Sequence, residues 1–253
     1  MILNTFNLEG KVAMITGCNT GLGQGMALGL AQAGCDIIGV NRSSASETAQ
    51  KVMATGRRFV SITADLSDSH CLESVMDQAL TACPQLDILV NNAGIIRRAD
   101  ALDFSERDWD DVMNVNSKTL FFLSQAVARQ FVRQGRGGKI INIASMLSYQ
   151  GGIRVPSYTA SKSAVMGLTR LMANEWAQYG INVNAIAPGY MATNNTEQLR
   201  DDEDRNQQIL DRIPAGRWGQ SDDMMGPVVF LASAAADYVN GSTLAVDGGW
   251  LAR

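Results

Sequence analysis

The chain has 253 residues, with 21 Lys and Arg against 25 Asp and Glu and a formal net charge of −4. A unit of this size buries roughly 70–75% of its unfolded surface and folds without staples, and the acidic balance offers nucleic acid or an anionic membrane no electrostatic footprint. The longest nearly apolar stretch, Met224–Ala236, contains Gly, Pro and Ser and falls short of the roughly 20 residues that cross a bilayer.

Strand-like and helix-like segments alternate from end to end. Lys11–Thr16 is a short apolar run stopped by glycine, and Gly21–Ala33 reads as a helix closed by Gly34. Asp36–Val40 is a second strand and Ser43–Thr55 a second helix, followed by Gly56. Arg58–Thr63 and Asp87–Val90 give the third and fourth strands, separated by a helix near Ser67–Ala82. The stretch Ser105–Gln134 is too long for one average helix and reads as two. Lys139–Ala144, Ile181–Ala187 and Ser242–Val246 supply the fifth, sixth and seventh strands. Apolar runs without clean alternation suit strands buried on both faces of a parallel sheet. No linker or repeat interrupts residues 1–253, so the reading is a single doubly wound α/β domain of Rossmann type.

Two scarcities narrow the chemistry. His70 is the one histidine, and the four cysteines (Cys18, Cys35, Cys71, Cys83) lack Cys-x-x-Cys spacing. Neither a metal site nor a disulfide framework is expected, and the cysteines read as small core hydrophobes. A Ser-His-Asp hydrolase would need that single His, and no Gly-x-Ser-x-Gly turn accompanies it. The opening residues, Met1–Phe6, lack a basic and then apolar leader, so a cytoplasmic protein is expected.

The first strand runs into Thr16-Gly17-Cys18-Asn19-Thr20-Gly21-Leu22-Gly23. Glycines let the backbone turn tightly and approach a pyrophosphate, while the following helix aims free N–H groups and a positive dipole at the anion. Asp65 ends the third strand, where it can accept from an adenine amino group. Asn91-Asn92-Ala93-Gly94 ends the fourth with residues small enough for a flat adenosine to lie close. The place of the usual ribose-binding acid, 18 residues after Gly23, holds Asn41, followed by Arg42. Asn bonds ribose hydroxyls without repelling a 2′-phosphate. Arg42 could even attract that phosphate, so these residues by themselves leave NAD and NADP both open.

Ser145 follows the fifth strand directly. Thirteen residues later comes Tyr158, and Lys162 lies one helical turn further on the same face. An ammonium beside a phenol favours the phenolate, by about 1–3 pK units for a neighbouring cation. Tyr158 is then a general acid for a ketone or a general base for an alcohol, with Ser145 holding the carbonyl oxygen.

Taken together, these motifs, with Asn116 and Pro188-Gly189, resemble the short-chain dehydrogenase/reductase family along the whole chain. The resemblance implies a seven-stranded parallel sheet of order 3-2-1-4-5-6-7, NAD as the nicotinamide cofactor with NADP left open, and a homotetramer. It implies that Asn116, Ser145, Tyr158 and Lys162 are catalytic, Asn116 helping to hold a water that relays protons from the lysine. Cofactor contacts implied are Gly17, Asn19, Thr20, Gly21, Leu22, Gly23, Asn41, Asp65, Leu66, Asn92, Ala93, Gly94, Tyr158, Lys162 and Met191, with Pro188, Gly189 and Thr193 flanking the carboxamide. Independent support for association comes from the helix Ser157–Gln178, which is apolar on more than one face.

The segments around Asn92–Arg98, Ala144–Pro156 and Val246–Arg253 resemble family members that act on sugar acids. Ser145, Met146, Gln150 and Arg154 are the expected substrate residues. A guanidinium can clamp a carboxylate with two bonds, and Arg154 is either that clamp or part of a surface salt bridge. Arg97 and Arg98 are weaker candidates. Between Asn194 and Arg212 the acidic run Asp201–Asp204 is compatible with both a solvated helix face and a helical lid. Two alternatives stand beside a sugar-acid oxidoreductase. One is another reductase of the family, acting on gluconate or a carrier-bound 3-oxoacyl group; the other is a nicotinamide-binding regulator without turnover.

Overall fold

The computed structural model describes residues 1–253. Strands β1 (Val12–Thr16), β2 (Asp36–Asn41), β3 (Phe59–Thr63), β4 (Ile88–Asn91), β5 (Gly138–Ile143), β6 (Ile181–Pro188) and β7 (Thr243–Val246) form one parallel sheet in the order 3-2-1-4-5-6-7. The expected strands are therefore all present, with shifts of a residue at their ends.

Successive residues on the strands feed two separate cores. Met14, Ile38, Leu89 and Ile140 face α3 (Leu72–Ala82), α5 (Leu120–Gln134) and α6 (Pro156–Trp176). Their neighbours Ile15, Ile37, Val90 and Ile141 face α1 (Gly21–Gln32) and α9 (Met225–Ala232). With both faces buried, each strand needs apolar residues at consecutive positions, which is why the runs lacked alternation. Each fully buried Ile, Leu or Met contributes roughly 1.5–3 kcal/mol. Cys18, Cys35 and Cys83 are buried in this interior, while Cys71 is only partly covered.

Three local departures have physical causes. Helix α2 (Ser46–Ala54) begins later than expected because the Ser44 hydroxyl accepts from the Ser46 N–H at 3.3 Å, holding the preceding residues as a turn. Ahead of α3, Asp68 caps a 3₁₀ turn at Ser69–Cys71, and exposed His70 lies in it. The 105–134 stretch holds the two expected helices but joins them without a loop. It comprises α4 (Glu106–Met113), a π turn at Asn114–Thr119, and α5. A widened turn shifts the helix without a loop, and such turns concentrate at functional sites.

The sheet places the site. The chain leaves β1 toward β2 and β3 on one side and returns to β4 on the other, so a crevice opens beyond the carboxyl ends of β1 and β4. Beyond β6, α7 (Glu197–Asp201) and α8 (Glu203–Arg212) lie beside this end of the sheet. The acidic run separates them: Asp202 caps α8 by accepting from the Arg205 N–H at 3.0 Å, and Glu203 and Asp204 favour its N-terminal dipole. Ile209 and Ile213 pack with Met146, Trp218 and Trp250 in a third, smaller core.

Candidate active site

The crevice is a cavity of about 560 Å³. Two of its walls are joined by a clasp between β1 and β4. The Asn92 amide donates to the carbonyls of Thr16 at 2.9 Å and Gly17 at 2.8 Å, and the Thr16 hydroxyl accepts from the N–H groups of Asn92 and Ala93 at 3.0 and 2.9 Å. Gly17 adopts φ +66°, the left-handed region open to glycine. A Cβ on Gly23 would collide with the Gly17 carbonyl and come within 2.5 Å of the Asn92 amide nitrogen. The loop is thus shaped by backbone contacts that leave no room for a side chain.

Of the expected cofactor residues, Gly17, Asn19, Thr20, Gly21, Leu22, Gly23, Asn41, Asp65, Leu66, Asn92, Ala93, Gly94, Tyr158, Lys162 and Thr193 line this cavity. Pro188 and Gly189 stand behind it at the end of β6, where the Gly189 N–H donates to the Val246 carbonyl at 3.0 Å. Met191 is buried and bridges to Gly219. Asn41 is 4% exposed and its side-chain oxygen has no hydrogen-bond partner. An orphaned acceptor at the end of β2, beside a glycine turn that only backbone fills, suits the hydroxyls and phosphates of a dinucleotide. The Asp65 carboxyl accepts from the Ser67 N–H at 2.9 Å, which holds it below the usual carboxylate range.

At the inner end, α6 brings Tyr158 and Lys162 to the cavity, with Pro156 starting the helix. Ser145 is buried just past the end of β5, close enough to the Tyr158 phenol to favour its ionised form, and its side-chain oxygen accepts from the Leu147 N–H at 3.1 Å. The relation between Tyr158 and Lys162 differs from the sequence expectation. Lys162 Nζ lies 5.6 Å from the phenol ring centroid and donates to the Ile143 carbonyl at 2.6 Å. Burial raises the Tyr158 phenol above its ordinary value, with Ser145 and the charge of Arg98 pulling it down less strongly. Burial also lowers the Lys162 amine to about 8. At neutral pH the phenol is therefore a proton donor.

Asn116 sits in the π turn, 1% exposed. Its carbonyl oxygen accepts from the Ile95 N–H at 2.9 Å, and its amide donates to the Ile95 carbonyl at 2.9 Å and to Ser161 at 3.1 Å. The side chain ties the segment after β4 to the helix that carries Tyr158.

The substrate expectations scatter. Met146 is buried in the third core, and Gln150 accepts from Arg212 at 3.2 Å. Arg154 is exposed, adopts φ +63° and pairs with Asp100 at 3.2 Å, outside the cavity wall. That arrangement is the surface ion pair which the sequence left open as an alternative. Arg97 lines the cavity but pairs with Asp108 at 3.3 Å and Asp111 at 3.5 Å. Arg98 has no carboxylate partner; it donates to the Asn195 carbonyl at 2.9 Å. Asn194, Asn195, Asp111, Val115 and Ile143 also line the cavity without having been singled out. No local spacing signalled them, although Val115 and Ile143 adjoin motif residues.

A family model described as short chain dehydrogenase matches residues 11–204. The chain is 72% identical to the 2-dehydro-3-deoxy-D-gluconate 5-dehydrogenase of Dickeya dadantii over the full length of both. A solved structure from Agrobacterium tumefaciens, described as a candidate 2-deoxy-D-gluconate 3-dehydrogenase with bound NADP, is 58% identical. It covers 99% of this chain and 100% of its own, with a TM-score of 0.94. A gluconate 5-dehydrogenase from Burkholderia cenocepacia, solved with NADP and tartrate, is 40% identical over all of both chains, with a TM-score of 0.94. Sheet order, glycine turn and likeness over the whole length agree: the chain belongs to the short chain dehydrogenase family, nicotinamide-dependent oxidoreductases that act on CH–OH groups.

Proposed function

We propose that the chain interconverts 2,5-diketo-3-deoxygluconate and 2-keto-3-deoxygluconate with a nicotinamide cofactor, in the breakdown of pectin-derived hexuronates. The observation that carries this reading is the presence of Tyr158 and Lys162 in the wall of a groove shaped for a dinucleotide, with Ser145 close to the Tyr158 phenol. The name of the 72% identical relative supports the choice of sugar acid.

When bound, the nicotinamide supplies or takes up a hydride. The residues do the rest. The Ser145 hydroxyl holds the C5 oxygen, and Tyr158 gives it a proton during reduction or removes one during oxidation. Lys162 ties α6 to the end of β5, Asn116 ties it to the segment after β4, and the lysine–asparagine side of the site passes the proton outward. Arg98 is the cation whose charge reaches the Tyr158 phenol. Its freedom from carboxylates makes it the better partner for the substrate carboxylate, ahead of Arg154. Residues 194–212 act as a helical lid on a single domain, supported by Asn194 and Asn195 in the cavity wall.

NAD is the proposed cofactor, with weak discrimination against NADP. No carboxylate stands at the end of β2 to repel a 2′-phosphate, and Arg42 and Ser43 line that end of the cavity. A cytoplasmic homotetramer is proposed; large apolar side chains left on the surface at Trp109, Phe122 and Leu171 support association.

The test is NADH oxidation with a panel of carbonyl substrates: the 2,5-diketo acid, 5-ketogluconate and a 3-oxoacyl thioester. The 2,5-diketo acid should give the highest kcat/KM. A higher value for either competitor overturns the assignment.

A further inference from the structure

Helix α8 ends in Arg212, a cation that none of the chain's ion pairs includes. Its guanidinium carbon lies 4.0 Å from the Trp250 ring centroid, and its NH2 group donates to the Gln150 side-chain oxygen at 3.2 Å. A cation at the carboxyl end of a helix is favoured by the dipole, and one over an indole face by the ring quadrupole. The neighbouring Asp211 carbonyl accepts from the Arg253 guanidinium at 2.6 Å, so the chain's last turn is tied to the same helix end. Below these contacts, Ile209 and Ile213 pack with Met146 and Trp250. The end of α8 is thus bound both to the carboxyl-terminal turn and to the loop that follows Ser145.

That loop needs holding. It runs through Gly151 and Gly152, and Gln150 to Arg154 are mostly exposed. The bond to Arg212 is the only side-chain hydrogen bond that Gln150 makes. A loop that must be ordered when substrate arrives weakens binding by the entropy of ordering it, and a loop held beforehand does not.

We propose that Arg212 is a positioning residue for the substrate: it clamps the loop after Ser145 to α8 and the carboxyl-terminal turn, so that substrate affinity depends on it and cofactor affinity does not. The assignment of a sugar acid as that substrate rests on the reading above. Arg212 itself touches neither the reacting atoms nor the dinucleotide groove.

The test uses the full chain with NADH and compares Arg212→Met, which keeps an apolar side chain over Trp250, with Arg212→Lys, which keeps the charge. Arg212→Met should raise KM for the keto acid roughly tenfold, with kcat within about threefold and the NADH Kd within about twofold. Arg212→Lys should recover part of the loss, since it still offers a donor to Gln150 but without the planar fork. Hydrogen exchange over residues 146–155 should quicken in the Met variant and not over β1 and α1. A KM within twofold of the wild type overturns the proposal. So does a loss shared equally by NADH affinity and thermal midpoint, which marks a general structural role. Should the wild-type protein not reduce the keto acid, the substrate reading falls, and the exchange experiment decides the clamp alone: unchanged exchange at 146–155 overturns it.

Discussion

At Lys162, activity and stability pull in opposite directions, and substitution by Met exposes the conflict. The side chain is 4% exposed, and burial lowers its pKa from 10.5 to about 8. The unfolded chain keeps this proton up to about pH 10.5, whereas the folded protein surrenders it near 8. Folding therefore carries the full cost of a buried charge below pH 8, and the cost disappears as pH rises from 8 to 10.5. At about 1.4 kcal/mol per pH unit, the cost is about 3 kcal/mol. Met removes the charge but strands the Ile143 carbonyl, which accepts from Nζ at 2.6 Å. That loss is about 1.5–3 kcal/mol while the donor is charged and about 1 kcal/mol once it is neutral. Lys162→Met should thus be about 1 kcal/mol more stable than wild type at pH 7 and about 1 kcal/mol less stable near pH 10.5. Urea unfolding at several pH values reads the crossing, and kcat/KM should fall roughly a hundredfold or more. A Met variant destabilised by the same amount at both ends of the range would refute the reasoning, because the buried charge would then contribute nothing.

Tyr158→Phe should keep NADH affinity and lose well over tenfold in kcat, because only the proton-bearing hydroxyl is removed; a well-folded variant with more than roughly a tenth of wild-type kcat removes Tyr158 as the acid. Since burial raises that phenol, kcat/KM for alcohol oxidation should climb on the alkaline side of neutrality, and a profile flat from pH 7 to 9 contradicts the assigned role. Gly23→Ala forces a methyl group against the Gly17 carbonyl and the Asn92 amide. It should cost about 1–3 kcal/mol by urea unfolding and weaken NADH binding in fluorescence titration, and an unchanged Kd would show that the loop has slack. Arg98→Ala should raise KM for a keto acid roughly tenfold and spare a neutral ketose of the same length, while Arg154→Ala, losing only its exposed pair with Asp100, should shift KM less than about twofold. The reverse ranking returns Arg154 to the carboxylate.

Much of this protein was legible along the chain, because its informative features are local. A parallel strand covered on both faces demands consecutive apolar residues, so seven such runs separated by helix-length segments already specify a doubly wound sheet. The turn from Gly17 to Gly23 and the i, i+4 pair Tyr158 and Lys162 each lie within one turn or helix, where spacing dictates direction. Contacts between distant segments were not legible. Lys162 was expected to draw the phenol down, yet its ammonium meets the Ile143 carbonyl, 19 positions away in the chain. Arg154 lies between two motif residues in sequence, but its left-handed backbone aims it at Asp100 on another loop. The π turn that carries Asn116, with Val115, Asn116, Ser117 and Thr119 buried, joins the two expected helices without a loop, and no local spacing marks it. Side-chain partners of this kind depend on how separate elements settle against each other, a matter of three-dimensional distance and competing acceptors that neither periodicity nor motif spacing encodes.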